Sequence, residues 1–200
     1  DVTVEGDSTL TITAGSQVLF CGDYQLRIGD LFSAARLVAE GTAQQPIVFT
    51  TAGSASVWNQ LYFGDHLDLG ASILQHVVLE DGGGSDPTQG QTIQVSDRAL
   101  VAAYPTPLID HVTVRNSNGY GITIDAVGDD PRPAQLTHVI IEGSSLQPVN
   151  ANVNAVGGLG RGLIVTGNMT DTIRVFQDRM NFDSHWRDYG VPYEVTSGFV

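Results

Sequence analysis

The chain has 200 residues, 42% of them hydrophobic, and a formal net charge of −13. That length suits one domain with a continuous core, and the negative charge disfavours nucleic acid and anionic membrane surfaces as partners. No apolar run is long enough to cross a bilayer, and all 9 basic residues are arginine, which excludes chemistry built on a lysine base or Schiff base.

From the start of the chain, Val2 and Val4, Leu10 and Ile12, and Val18 and Phe20 alternate with other residues between turns at Glu5-Gly-Asp7 and Ala14-Gly-Ser16. These read as short strands of period two. Cys21 has no partner within the chain and follows Val18-Leu19-Phe20, a setting that predicts a small buried hydrophobe. Asp30-Leu-Phe-Ser-Ala-Ala-Arg-Leu37 is the one stretch with room for a helical turn or two. Further strands are expected at 25–28, 37–40, 47–50, 60–63, 73–79, 92–95, 108–114, 121–124, 136–141, 162–165 and 172–176. Loops are expected at 82–87, 102–107, 127–133 and 146–161. The last holds Asn150, Asn152, Asn154 and Gly157-Gly-Leu-Gly160, which lacks the spacing of a nucleotide-binding glycine loop. With no helices between the strands, an alternating strand–helix fold is excluded.

Three segments share one eight-residue pattern: Leu74-Gln-His-Val-Val-Leu-Glu-Asp81, Ile109-Asp-His-Val-Thr-Val-Arg-Asn116 and Leu136-Thr-His-Val-Ile-Ile-Glu-Gly143. Internal repetition in β-branched sequence points to a coil that stacks on itself. Aliphatics occupy the first, fourth and sixth positions, so strict alternation fails once and two short strands meet at a corner. An antiparallel sandwich would also supply short strands, but the corner residue is histidine in all three copies, and histidine is among the residues that tolerate a left-handed backbone. His76, His111 and His138 are therefore expected to form a structural corner ladder. A metal or proton site is the other reading of three imidazoles. It is set aside because a column with one histidine per coil lacks a converging carboxylate or thiolate.

Ser8-Thr-Leu-Thr-Ile-Thr-Ala-Gly-Ser-Gln-Val-Leu-Phe20, Leu37-Val-Ala-Glu-Gly-Thr-Ala-Gln-Gln-Pro-Ile-Val-Phe-Thr-Thr51, Trp58-Asn-Gln-Leu-Tyr-Phe63 and Asn118-Gly-Tyr-Gly-Ile-Thr-Ile124 together resemble secreted bacterial right-handed parallel β-helix proteins. The likeness spans most of residues 8–143 and departs at Ala14, where such proteins usually carry proline. It implies an all-β fold, a right-handed parallel β-helix with irregular loop insertions, forming one domain over 1–200 at the cell surface or outside the cell. His185-Trp-Arg-Asp-Tyr-Gly-Val-Pro-Tyr-Glu-Val-Thr-Ser-Gly-Phe-Val200 looks like the segment that precedes the first repeat in such proteins, so the chain reads as one period of a longer coil.

Complementary ends imply stacking, either on further copies head to tail or on neighbouring repeats of one chain. The expected interface residues are Val2, Val4, Leu10, Ile12, Trp186, Tyr189, Tyr193, Val195 and Phe199. The competing class is a polysaccharide lyase or hydrolase, for which Asp129 with Asp130, Asp81 with Asp86, and Glu80, Asp110 and Glu142 are the candidate acids. A glycan-binding adhesin is the third, with Trp58, Tyr62, Tyr104 and Tyr120 as candidate groove aromatics. No catalytic residue, metal or cofactor is assigned; the acidic loops suit calcium without a diagnostic motif.

Overall fold

A computed structural model describes residues 1–29, 33–64, 72–88, 90–97, 107–126, 135–176, 179–180 and 183–196. The first coils contain β1 (Val2–Val4), β2 (Ser8–Thr13), β3 (Gln17–Phe20), β4 (Leu26–Ile28), β5 (Ala35–Glu40), β6 (Ile47–Thr51) and β7 (Leu61–Phe63). The middle holds β8 (Ile73–Glu80), β9 (Gln91–Asp97), β10 (Leu108–Arg115), β11 (Tyr120–Ala126), β12 (Gln135–Thr137) and β13 (Ile140–Glu142). The remainder is β14 (Val149–Asn152), a 3-10 turn at Val156–Gly158, β15 (Ile164–Thr166), β16 (Ile173–Phe176) and β17 (Tyr193–Val195).

Among the described residues these strands form two sheets, one of 8 strands in the order β1-β4-β7-β9-β11-β14-β16-β17 and one of 9. Strands next to each other in space are far apart in sequence, and every pairing is parallel. The chain alternates between the sheets as it winds, so each inner coil is hydrogen-bonded to the coils above and below it. The molecule is a parallel β-solenoid.

Register in the eight-stranded sheet holds from one edge to the other. Val2 aligns with Leu26, Leu61, Ile93, Ile122, Val149, Ile173 and Tyr193; Val4 aligns with Ile28, Phe63, Val95, Ile124, Ala151, Val175 and Val195. Both columns face the core. Between them runs an outward column, from Thr3 through Arg27, Tyr62, Gln94, Thr123, Asn150 and Arg174 to Glu194. A register slip of one residue would turn both apolar columns to solvent, which is what fixes the alignment.

The nine-stranded sheet bends. In β8, Leu74, Val77 and Leu79 are buried while Gln75 and His76 between them are not, the pattern that the eight-residue unit predicts for a corner. In the third copy the corner interrupts the ladder: the single strand expected at 136–141 is β12 and β13, parted at His138 and Val139. Near the first coils, the fully buried Trp58 lies flat on Phe20, with centroids 4.4 Å apart and planes 6° apart. Its indole N–H donates to the Glu80 carbonyl at 2.8 Å, so the ring enters the core without an orphaned donor.

Three expectations fail. Within 30–37, the stretch with room for a helical turn, residues 35–37 instead extend the strand expected at 37–40 to Ala35–Glu40, because Ala35, Leu37 and Ala39 alternate inward with period two; residues 30–32 lie outside the described residues. Residues 146–161 are not all loop: Val149–Asn152 is β14, paired with β11 and β16. Cys21 is exposed, since it sits in the bend just after β3, on a coil with a neighbour on one side only.

Candidate functional site

Two places on the solenoid bring together residues with potential function: the histidine corner and the two ends. His76, His111 and His138 take φ of 48°, 52° and 52°. A left-handed backbone costs an ordinary L-residue roughly 1–2 kcal/mol, so the corner favours residues that bond locally. Successive rings lie against one another along the column, tilted by 34° with centroids 4.7 Å apart for His76 and His111, and stacked 4.4 Å apart for His111 and His138. The second corner of the same repeat behaves alike. Asp81, Asn116 and Gly143 have φ of 61°, 56° and 69°, and the Asn116 amide donates to the Asp81 carboxylate at 3.3 Å.

The converging carboxylate that the sequence did not reveal is Asp110. It aligns with Gln75 on one side and Thr137 on the other. Its Oδ2 lies 2.9 Å from Nδ1 of His111 and its Oδ1 lies 3.1 Å from Nδ1 of His138. Thr137 donates its hydroxyl to Oδ1 at 2.6 Å, and Gln75 donates its amide to Oδ2 at 3.3 Å. Burial alone would push the Asp110 carboxyl up, but the hydrogen bonds from Thr137, His111, His138 and Gln75 outweigh it and hold the group well below the usual carboxylate range. The reason given for setting a metal site aside therefore does not hold. The only local signal was an acid at the second position of the middle repeat, where the other copies carry Gln75 and Thr137.

The remaining acids are dispersed. Arg115 aligns between Glu80 and Glu142, and its Nε donates to Glu80 at 2.7 Å, so these two carboxylates are separated by a cation. Asp81 bonds Asn116, and Asp86 accepts from the Thr88 hydroxyl and amide within its own turn. Asp129, Asp130 and Tyr104 lie outside the described residues. Of the candidate groove aromatics, Trp58 and Tyr120 are buried, and Tyr62 carries the Arg27 guanidinium over its ring at 4.7 Å.

At the two ends, β1 and β17 are the edges of the eight-stranded sheet. Val2 is 61% exposed and Val195 68% exposed, although both belong to columns that are buried elsewhere; Leu19, near the first edge, and Ile164, near the last, are exposed as well. Val4, Leu10 and Ile12 are partly covered by the core. Trp186, Tyr189 and Tyr193 pack on their own chain. Arg187 donates to the carbonyls of Gly157 and Leu159 at 3.2 and 2.9 Å, and the Tyr189 hydroxyl donates to the carbonyls of Leu159 and Gly160. The glycine-rich segment is thus the seat of the tail. Gly160 is required there because a Cβ would stand 2.0 Å from the Leu136 carbonyl oxygen. The Tyr193 hydroxyl donates to the Arg187 carbonyl at 2.6 Å, and burial together with nearby Tyr189 pushes the phenol up to about 12. Phe199 lies outside the described residues.

The class of protein defined by this geometry is the parallel β-solenoid. Beyond that class, no family model, curated protein or solved structure matches the chain.

Proposed function

We propose that the protein is a structural unit whose solenoid stacks head to tail with a second copy, the β17 edge of one meeting the β1 edge of the next, in an extracellular or cell-surface fibre. The observation that carries this reading is the matching of the two edges. Each presents an inward, outward, inward triplet in the same column order, Val2-Thr3-Val4 at one end and Tyr193-Glu194-Val195 at the other. A second copy placed with β1 on β17 continues all three columns: Val2 over Tyr193, Thr3 over Glu194, Val4 over Val195. Among the described residues, β1 and β17 each pair on one side only, and open parallel edges template further pairing. A contact between unlike ends that does not close on itself propagates as a filament. Secretion rests on the resemblance to secreted bacterial β-helix proteins. The separation of Glu80 from Glu142 by Arg115 and the burial of Trp58 and Tyr120 weigh against the glycan-processing and glycan-binding alternatives.

Sedimentation velocity and negative-stain microscopy across a concentration series test the proposal. Growth into linear particles is expected, and Val195→Asp is expected to stop it without unfolding the chain. A monomer at every concentration would overturn it.

A further inference from the structure

We propose that Asp110, His111 and His138 form a binding site for a single divalent transition metal of the zinc or copper class. One ligand atom from each side chain lies within 4.8 Å of the other two. Asp110 Oδ2 lies 2.9 Å from His111 Nδ1 and Oδ1 lies 3.1 Å from His138 Nδ1. These are hydrogen-bond separations to different oxygens, which an ion would replace by drawing donors about 2.0–2.1 Å from itself to a mutual spacing of roughly 3.3 Å. The three donors come from two successive coils, and the backbone pairing of Asp110 with Thr137 brings them together. The rest of the arrangement suits an ion. Thr137 and Gln75 hold the carboxylate in place, as outer hydrogen bonds do around metal ligands. The His111 and His138 side chains are 46% and 57% exposed, which leaves a path for entry. The chain's charge of −13 attracts cations.

The donor set chooses the ion. Two imidazoles and one carboxylate match zinc, copper or nickel, whereas calcium and magnesium take oxygen donors. Three protein ligands leave a further position for water. Coordination through Nδ1 places the proton of each neutral ring on Nε2. An in-plane lone pair cannot point at an ion held between parallel rings, so binding opens the His111–His138 angle from its present 25°. His76 lies tilted against His111 but contributes no ligand, which makes it an internal control.

The test is isothermal titration of zinc and of copper(II), each alone, into the full chain and into Asp110→Asn, His138→Gly and His76→Gly, with circular dichroism verifying each fold. Glycine suits these positions because their φ is positive. One equivalent is expected to bind the parent chain and His76→Gly alike, and Asp110→Asn and His138→Gly are expected to weaken binding by at least roughly tenfold. Copper electron paramagnetic resonance should show two nitrogen ligands, falling to one in His138→Gly. No saturable binding to the parent chain overturns the proposal, as does equal binding by the parent and both ligand variants.

Discussion

A histidine at a left-handed corner is held there by two different demands, and substitutions separate them. The backbone needs a residue that tolerates φ near 50°, and the side chain stacks on its neighbours and bonds Asp110. His111→Gly meets the first demand and fails the second; His111→Val fails both, since a β-branched side chain is poorly accommodated in that region. The valine variant is expected to lose more stability than the glycine variant by about 1–2 kcal/mol, the cost of left-handed backbone. Urea unfolding of both variants measures the difference. Equal losses would show that stacking, and not backbone conformation, selects histidine.

At the scale of elements, the strands are held by long columns that cross many coils, and the first coils depend on one large anchor. Trp58 fills the space between Phe20 and Phe49, with centroids 4.4 and 6.4 Å away. Trp58→Ala is expected to cost about 3–5 kcal/mol, read as a lower urea midpoint; a loss below about 1 kcal/mol would mean that the coil collapses onto the cavity at little cost. The tail yields a prediction in pH. The Tyr193 pKa is raised from 10.0 to about 12 in the fold, so its neutral form is favoured there. The stability this contributes is complete below pH 10 and is lost as pH rises through about 12. Burial raises the Tyr189 phenol as well, so ultraviolet titration should show Tyr193 among the late-ionising phenols, and Tyr193→Phe should remove one phenol from the late phase. If every phenol ionises together near its ordinary value, the packing of the tail is wrong.

Elements also differ in how plainly the sequence announced them. β8 and β10 were legible because Leu74, Val77 and Leu79, and their counterparts Ile109, Val112 and Val114, are apolar at the buried positions. β14 was not. Its Asn150 and Asn152 resemble turn residues, yet Asn152 is fully buried and donates to Asp125 at 3.4 Å on the neighbouring coil. Such a residue is a strand residue only because the coil beside it supplies a partner, and no local pattern encodes that. Asp110 was hidden for the same reason: its two histidine partners include one from the next coil, and the coil length that aligns them varies with the loops.

For the whole molecule, head-to-tail stacking requires the register of the eight-stranded sheet to continue from one copy into the next. Thr3 and Glu194 occupy the outward position at opposite edges, and stacked copies would bring them to adjacent places on paired strands. Neighbouring strands lie about 4.8 Å apart, within the Cα range of about 4.4–6.8 Å that a disulfide spans. The decisive measurement is oxidation of a Cys21→Ser chain carrying Thr3→Cys and Glu194→Cys, followed by non-reducing electrophoresis. Head-to-tail stacking predicts a ladder of covalent multimers that needs both new cysteines and collapses on reduction. A product that stays monomeric, or that forms equally well with Thr3→Cys alone, would contradict it.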